Sequence, residues 1–327
     1  MGRRRASGRA IARTPEPKPE KKRPSRRRTA VILTVVFLVV ITISVLAGLY
    51  FSTWKDLWRP ILRVNDETIS MDYLIRRMKY PEKSHDIQNM LTVLIQEEVI
   101  RQEAPNYGIE VTPDEIDERL RDIARSDNET ISESEFQKWY RDQLNEYQLS
   151  DAEYRELVET YMLAERLNEY LTAAVPTAAE QVHLYVIYLT SYDDTEAALA
   201  RIENGEDFSD IARELSVDTE TAEQGGDLGW WPRLGGLPEN LEYKAFDELE
   251  VGQVSGPIGI DPDNQIYAIC LVSEKQPDRE IEADKLETIK SVIFQEWLNY
   301  ELDTVDHQII NYNSETMAWI NLKIEQD

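Results

Sequence analysis

Residues 205–246 read GEDFSDIARELSVDTETAEQGGDLGWWPRLGGLPENLEYKAF, and this stretch decides the fold of the C-terminal half. Gly225-Gly226-Asp227-Leu228-Gly229 is a turn in which the backbone can take positive φ and approach another strand closely, options that glycine has without steric cost. Trp230 and Trp231 follow at once, and Leu237, Leu241 and Phe246 recur along a helical run. The combination reads as an apolar shelf beside a tight turn.

Outward from the turn, strand and helix patterns alternate. Apolar strands are expected near 182–189, 253–258 and 265–273, with helices near 193–203, 206–216 and 238–247. That order predicts an α+β fold, an antiparallel sheet covered by helices, behind a linker at Pro176-Thr177. Phe208, Ile211 and Ala212, then Ser216 and Asp218, then Gly225 to Trp230, then Leu237 with Ala245-Phe246, then Val251-Gly252-Gln253-Val254-Ser255-Gly256-Pro257 occur in one sequence order. In that order they resemble the parvulin family of peptidyl-prolyl isomerases over roughly residues 182–275.

The resemblance implies a reaction and a site. Turning an X-Pro bond crosses a barrier of about 18–20 kcal/mol set by amide resonance, and no nucleophile is required. A catalyst holds the proline ring in an apolar pocket and favours the twisted amide with well-placed polar groups. Residue by residue, Leu237 falls on the family's Met/Leu position, Leu241 on its pocket Phe, Phe246 on the Phe of the Ala-Phe pair and Asp218 on its Asp/Cys position. The two family histidines fall on Val186, in Tyr185-Val186-Ile187-Tyr188, and on Ala268, in Ile266-Tyr267-Ala268-Ile269-Cys270. Both are therefore replaced, which predicts weakened catalysis. Asp218 is the candidate catalytic residue; Leu237, Leu241, Phe246, Trp231, Val186 and Ala268 are the candidate substrate-binding set. Asp218 also suits a helix or turn cap, Asp227 suits an Asx turn, and Trp230 suits a cover for the sheet. His183 lies three residues from Val186, so strand alternation puts it on the opposite face, where it is expected to cap the strand at the surface.

The net charge of −26 is unevenly spread. Residues 1–28 hold twelve Lys/Arg and two acids, and the 24 basic and 60 acidic residues that remain leave −36 on the rest of the chain. The single cysteine, Cys270, excludes an internal disulfide and sits among apolar neighbours as a core residue. The three histidines are scattered, so no metal centre is indicated, and no cofactor or nucleotide motif is seen. Residues 1–29 read as a basic disordered cytoplasmic tail, better explained as a topogenic signal than as a nucleic-acid contact. Residues 30–51 carry no charge and are expected to form a single uncleaved transmembrane helix that contacts the lipid bilayer, followed by an aromatic belt of Tyr50, Phe51, Trp54 and Trp58. The positive-inside rule then places the N-terminus in the cytoplasm and the following domains outside it, at the cell membrane.

Between these segments lies helical sequence, residues 60–175. Apolar positions 87, 90, 91, 94, 95 and 99 lie on one helical face. Thr112/Glu115, Ser132/Glu135 and Ser150/Glu153 are three capping boxes opening amphipathic helices. Together with Leu94 to Ala104 and Gly108-Ile109-Glu110-Val111-Thr112-Pro113, this layout is similar to the N-terminal domain of SurA- and PrsA-type chaperones. The resemblance implies a parvulin domain over 177–276 and a C-terminal segment, 277–327, returning to the helical domain through Ile289, Val292, Ile293, Trp297 and Tyr300. The last apolar residues, 319–324, alternate with period two and suggest a strand. The function implied is a membrane-anchored extracytoplasmic foldase acting on unfolded or proline-containing secreted polypeptides. The alternative is a catalytically weak parvulin serving as a holdase or docking module.

Overall fold

In a computed structural model the described residues are 26–80, 83–126, 129–261, 263 and 265–325. The chain divides into two compact units, residues 1–59 and 60–327.

In the first unit, α1 (Arg26–Trp54) carries exposed apolar side chains such as Val35, Phe37 and Leu46. The expected transmembrane helix is corrected here: among the described residues no helix is long and apolar enough to cross a membrane. The bilayer contact expected through residues 30–51 rests on that helix and is not shown by the described residues. The basic tail lies outside the described residues up to position 25; of the aromatic belt, the Phe51 and Trp54 side chains are also outside them, while Trp58 is exposed.

The second unit opens with a hairpin, β1 (Pro60–Val64) and β2 (Glu67–Ser70), turning through Asn65 at φ +53. Helices α2 (Met71–Lys79), α3 (Ile87–Glu103), α4 (Pro113–Arg125), α5 (Glu133–Tyr147) and α6 (Asp151–Ala174) follow. All three capping boxes form in full, each hydroxyl accepting from the backbone of the glutamate three positions on, whose carboxylate accepts in return. The apolar stripes of α4, α5 and α6 meet in a cluster that includes Ile116, Leu120, Phe136, Tyr154 and Leu157, and Leu91, Leu94, Val99 and Leu167 are buried as well.

The parvulin-like part begins at β3 (Ala178–Leu189), followed by α7 (Tyr192–Glu203), α8 (Phe208–Leu215), α9 (Thr219–Glu223) and β4 (Asp227–Pro232). Then come α10 (Glu239–Tyr243), a π turn over Lys244–Glu248, β5 (Ile258–Asp261) and β6 (Ile266–Glu280). The sheet is antiparallel throughout, in the order β4-β3-β6-β5. The strand expected at 253–258 forms only a bridge between Val254 and Leu271. Pro257 has no N–H to offer a ladder, and Ser255 takes over the pairing: its N–H donates to the Cys270 carbonyl at 2.8 Å and its Oγ accepts from the Cys270 N–H at 2.9 Å.

After the sheet, α11 (Ala283–Thr304) lies against α3 and α6. The Trp297 indole N–H donates to the Tyr107 hydroxyl at 2.8 Å, and the two rings meet edge to face. β7 (His307–Ile309) then joins the free side of β1, giving the order β2-β1-β7. The final apolar residues are helical, within α12 (Ser314–Glu325), and not a strand. Ile320 and Ile324, one helical turn apart, are fully buried, while Leu322 between them is 56% exposed. A period of two would have required all three to face one way.

Candidate functional site

The central strands β3 and β6 place Leu184, Val186, Ala268, Cys270 and Val272 on one face of the sheet. Val186 pairs with Cys270, and Ala268 pairs with Tyr188 two residues further on, so the two positions assigned to histidine lie diagonally across the same face. That face is covered by Leu241 of α10 and by Ala245 and Phe246 of the π turn. Leu228 and Trp231 of β4 and Leu237 of the loop after it pack on it. Six of the seven candidate residues therefore converge on one apolar cluster. Val186, Ala268 and Leu241 have no exposed surface, and Phe246 retains 8%.

The turn explains how the cover approaches so closely. Gly226 sits at φ +87, its carbonyl accepts from the Val186 N–H at 2.7 Å, and a Cβ there would lie 2.8 Å from the Val186 carbonyl oxygen. Only glycine satisfies that contact and that φ together.

Asp218 stands apart from the cluster. It is the N-cap of α9: Oδ1 accepts from the Glu220 N–H at 3.3 Å and Oδ2 from the Thr221 hydroxyl at 2.7 Å. Tyr188, which packs against the cluster, has its phenol pushed up first by burial and then by the Asp218 charge. Both carboxylate oxygens are thus occupied in shaping the turn. Trp231 turns its indole N–H to the Leu228 carbonyl at 2.9 Å and receives the Lys285 ammonium 4.7 Å from its ring.

His183 is on the opposite face from Val186, but it is not a surface cap. Its side chain is 17% exposed, with Nδ1 2.8 Å from the Ser273 hydroxyl and Nε2 3.4 Å from Asp227. Trp230 meets the imidazole edge to face at 5.2 Å and is itself covered by the Arg279 guanidinium at 4.5 Å. Two polar partners and an aromatic wall keep the ring inside. Asp227 does form the expected turn, accepting from the Gly229 N–H at 3.0 Å.

Sequence reasoning missed the rim of the site. The Arg233 guanidinium lies 4.5 Å from the Phe246 ring centroid and is fixed by two 2.9 Å hydrogen bonds to Asp247. The Asp247 carboxyl is held below its usual range, chiefly by those bonds. The pair is separated by fourteen residues and no periodicity joins it; its only signal was an arginine in the loop after the tryptophans and an acid directly after Ala245-Phe246. Burial pushes the Cys270 thiol up to about 11, which leaves it a core residue and not a nucleophile. Among the described residues no group of histidine, cysteine and acidic side chains could hold a metal ion. The arrangement offers an apolar surface under a guanidinium cover, with no imidazole at the two central positions.

This fold and cluster are those of a parvulin domain. The PPIC-type PPIase (rotamase) family matches residues 190–274, and the SurA-like N-terminal domain family matches residues 24–168. The chain therefore carries a parvulin domain behind a SurA-like N-terminal domain. Among known proteins it is similar to the foldase protein PrsA of Oceanobacillus iheyensis, 28% identical over 64% of this chain and 66% of that protein. It is also similar to the periplasmic chaperone PpiD of Haemophilus influenzae, 36% identical over 34% of this chain and 16% of that protein. The chaperone SurA of Legionella pneumophila is 29% identical over 66% of this chain and 58% of its own length. In each case the match spans less than two thirds of the relative.

Proposed function

We propose that the chain is an extracytoplasmic foldase for unfolded and proline-containing polypeptides, in which peptide binding is retained and prolyl isomerase catalysis is reduced. The observation that carries this reading is the burial of Val186 and Ala268: aliphatic side chains with no exposed surface stand where the parvulin resemblance assigns imidazoles. No polar atom at those positions can follow the carbonyl as the amide twists, and each lost contact of this kind costs on the order of tenfold or more in rate. Leu237 and Phe246, which keep some exposed surface above the buried Leu241, can still hold a ring. The extracytoplasmic part of the proposal is supported by similarity to a protein described as a periplasmic chaperone.

The test is exchange NMR on an X-Pro peptide with the full chain and with Asp218→Ala. The expected result is peptide binding at the shelf with interconversion close to the uncatalysed timescale of tens to hundreds of seconds. Strong acceleration that disappears in Asp218→Ala would instead make the capping aspartate catalytic and the histidines dispensable. Absence of both binding and acceleration, with aggregation of a denatured protein still suppressed, would assign the activity to the helical domain alone.

A further inference from the structure

Outside the parvulin cluster, a cavity of about 300 Å³ lies between β2, α3 and α6. β2 is the outer strand of its sheet, so among the described residues its side away from β1 has no ladder partner. Residues 67–70, all of β2, line the cavity. Successive side chains of a strand point to opposite faces, so a cavity touched by four residues in a row runs along the strand's edge. Four residues at about 3.3 Å each make this edge about 13 Å long, enough to receive a short extended segment as a further strand.

The charges of the lining select the segment. Glu67, Glu97, Glu98, Glu153 and Glu156 face a single lining cation, Arg101. Glu97 and Glu153 are neutralised from outside the cavity, Glu97 by Arg77 at 2.8 Å and Glu153 by Arg76 at 2.6 Å. Glu98 and Glu156 share the one Arg101 guanidinium, and among the described residues Glu67 has no ion-pair partner. The groove is short of positive charge at Glu156 and Glu67. Burial, and after it the Glu98, Glu159 and Glu153 charges opposing the help from Arg101, pushes the Glu156 carboxyl above its usual range.

We propose that this groove binds an extended, lysine- or arginine-bearing segment of an unfolded polypeptide, added as a strand on β2 with its cationic side chain at Glu156 and Glu67. The inference rests on the chaperone reading above and names the chemistry of the client. Apolar lining from Ile69, Leu94 and the Tyr73 ring accommodates the aliphatic stem of such a side chain.

The test is fluorescence anisotropy on the full chain with three labelled peptides of alternating Thr and Val. One carries two lysines, the second has glutamine in their place, and the third keeps the lysines but has alternate backbone amides N-methylated. The lysine peptide should bind about tenfold more tightly than the glutamine peptide at low salt, with the gap closing at high salt, and N-methylation should abolish binding. The double variant Glu67→Gln/Glu156→Gln should remove most of the gap. Equal affinity for the lysine and glutamine peptides, an unchanged gap in the double variant, or tolerance of N-methylation would each overturn the proposal. The peptide comparisons stand even if the variant folds poorly. Failure to bind any of the peptides, with aggregation suppression intact, removes the groove and leaves the chaperone reading; loss of both removes that reading as well.

Discussion

Replacing Arg233 with alanine should strengthen peptide binding to the parvulin cluster while weakening the fold slightly. The guanidinium covers the Phe246 ring at 4.5 Å and is clamped by Asp247. A ligand that uses the ring must first displace it. The cation–π contact contributes about 0.5–1 kcal/mol at an exposed site. The ion pair, with side chains 46% and 41% exposed, is screened by solvent and adds little to this. Opening the cover therefore costs about 0.5–1 kcal/mol, which lowers apparent affinity by roughly 2- to 5-fold, and Arg233→Ala should recover that factor. Asp247→Asn removes the clamp but keeps the cation on the ring, so it should recover only part of it. Titration of a labelled Pro-containing peptide by NMR measures the affinity, and urea unfolding followed by tryptophan fluorescence measures the loss in stability, expected at about 0.5–1 kcal/mol. Weaker binding in Arg233→Ala would refute the reasoning, because it would make the guanidinium a peptide contact and not a cover.

Acid should act on the Arg76–Glu153 pair. Hydrogen bonds from Arg76, and those within the Ser150 cap, hold the Glu153 carboxyl at about 2. A depressed carboxyl contributes stability above its ordinary range near 4.5 and loses it as the pH falls toward 2. Glu153→Gln should thus lower stability by about 2 kcal/mol at pH 7, with the difference from the parent shrinking between pH 4.5 and 2 in thermal melts. Arg77 and Glu97 form a two-bond pair with side chains only 10% and 11% exposed. Arg77→Met leaves a buried carboxylate unpaired and should cost about 3–5 kcal/mol in urea unfolding, while Arg77→Met/Glu97→Met should recover much of that loss. Gly226→Ala forces a Cβ to 2.8 Å from the Val186 oxygen at φ +87 and should lower stability by at least about 2 kcal/mol, read as a fall in Tm.

What could be read from the sequence divides along a physical line. Capping boxes are local: hydroxyl and glutamate are three residues apart, so Thr112, Ser132 and Ser150 announce their helices without reference to the rest of the chain. Strand alternation is equally local, and it correctly put His183 across the sheet from Val186. It could not say what waits on that far face, because Ser273, Asp227 and Trp230 reach the imidazole from two other strands. The same limit explains the end of the chain, where Ile320, Leu322 and Ile324 fit a period of two on paper; the helix buries the outer two and exposes the middle one.

The site shows that line most sharply. The resemblance placed Leu237, Leu241, Phe246, Val186 and Ala268 in one cluster because it carries the spacing of an entire domain, and it assigned the family's two histidine positions to Val186 and Ala268. Whether the shelf stands open was not visible. That depends on Arg233 and Asp247, whose pairing exists only because the loop after β4 and the π turn meet over Phe246. A binding surface is legible from sequence to the extent that its residues share a strand or a helix. Its accessibility is decided by side chains that share neither, and for this chain that difference separates a parvulin pocket ready to receive a proline from one that must first be uncovered.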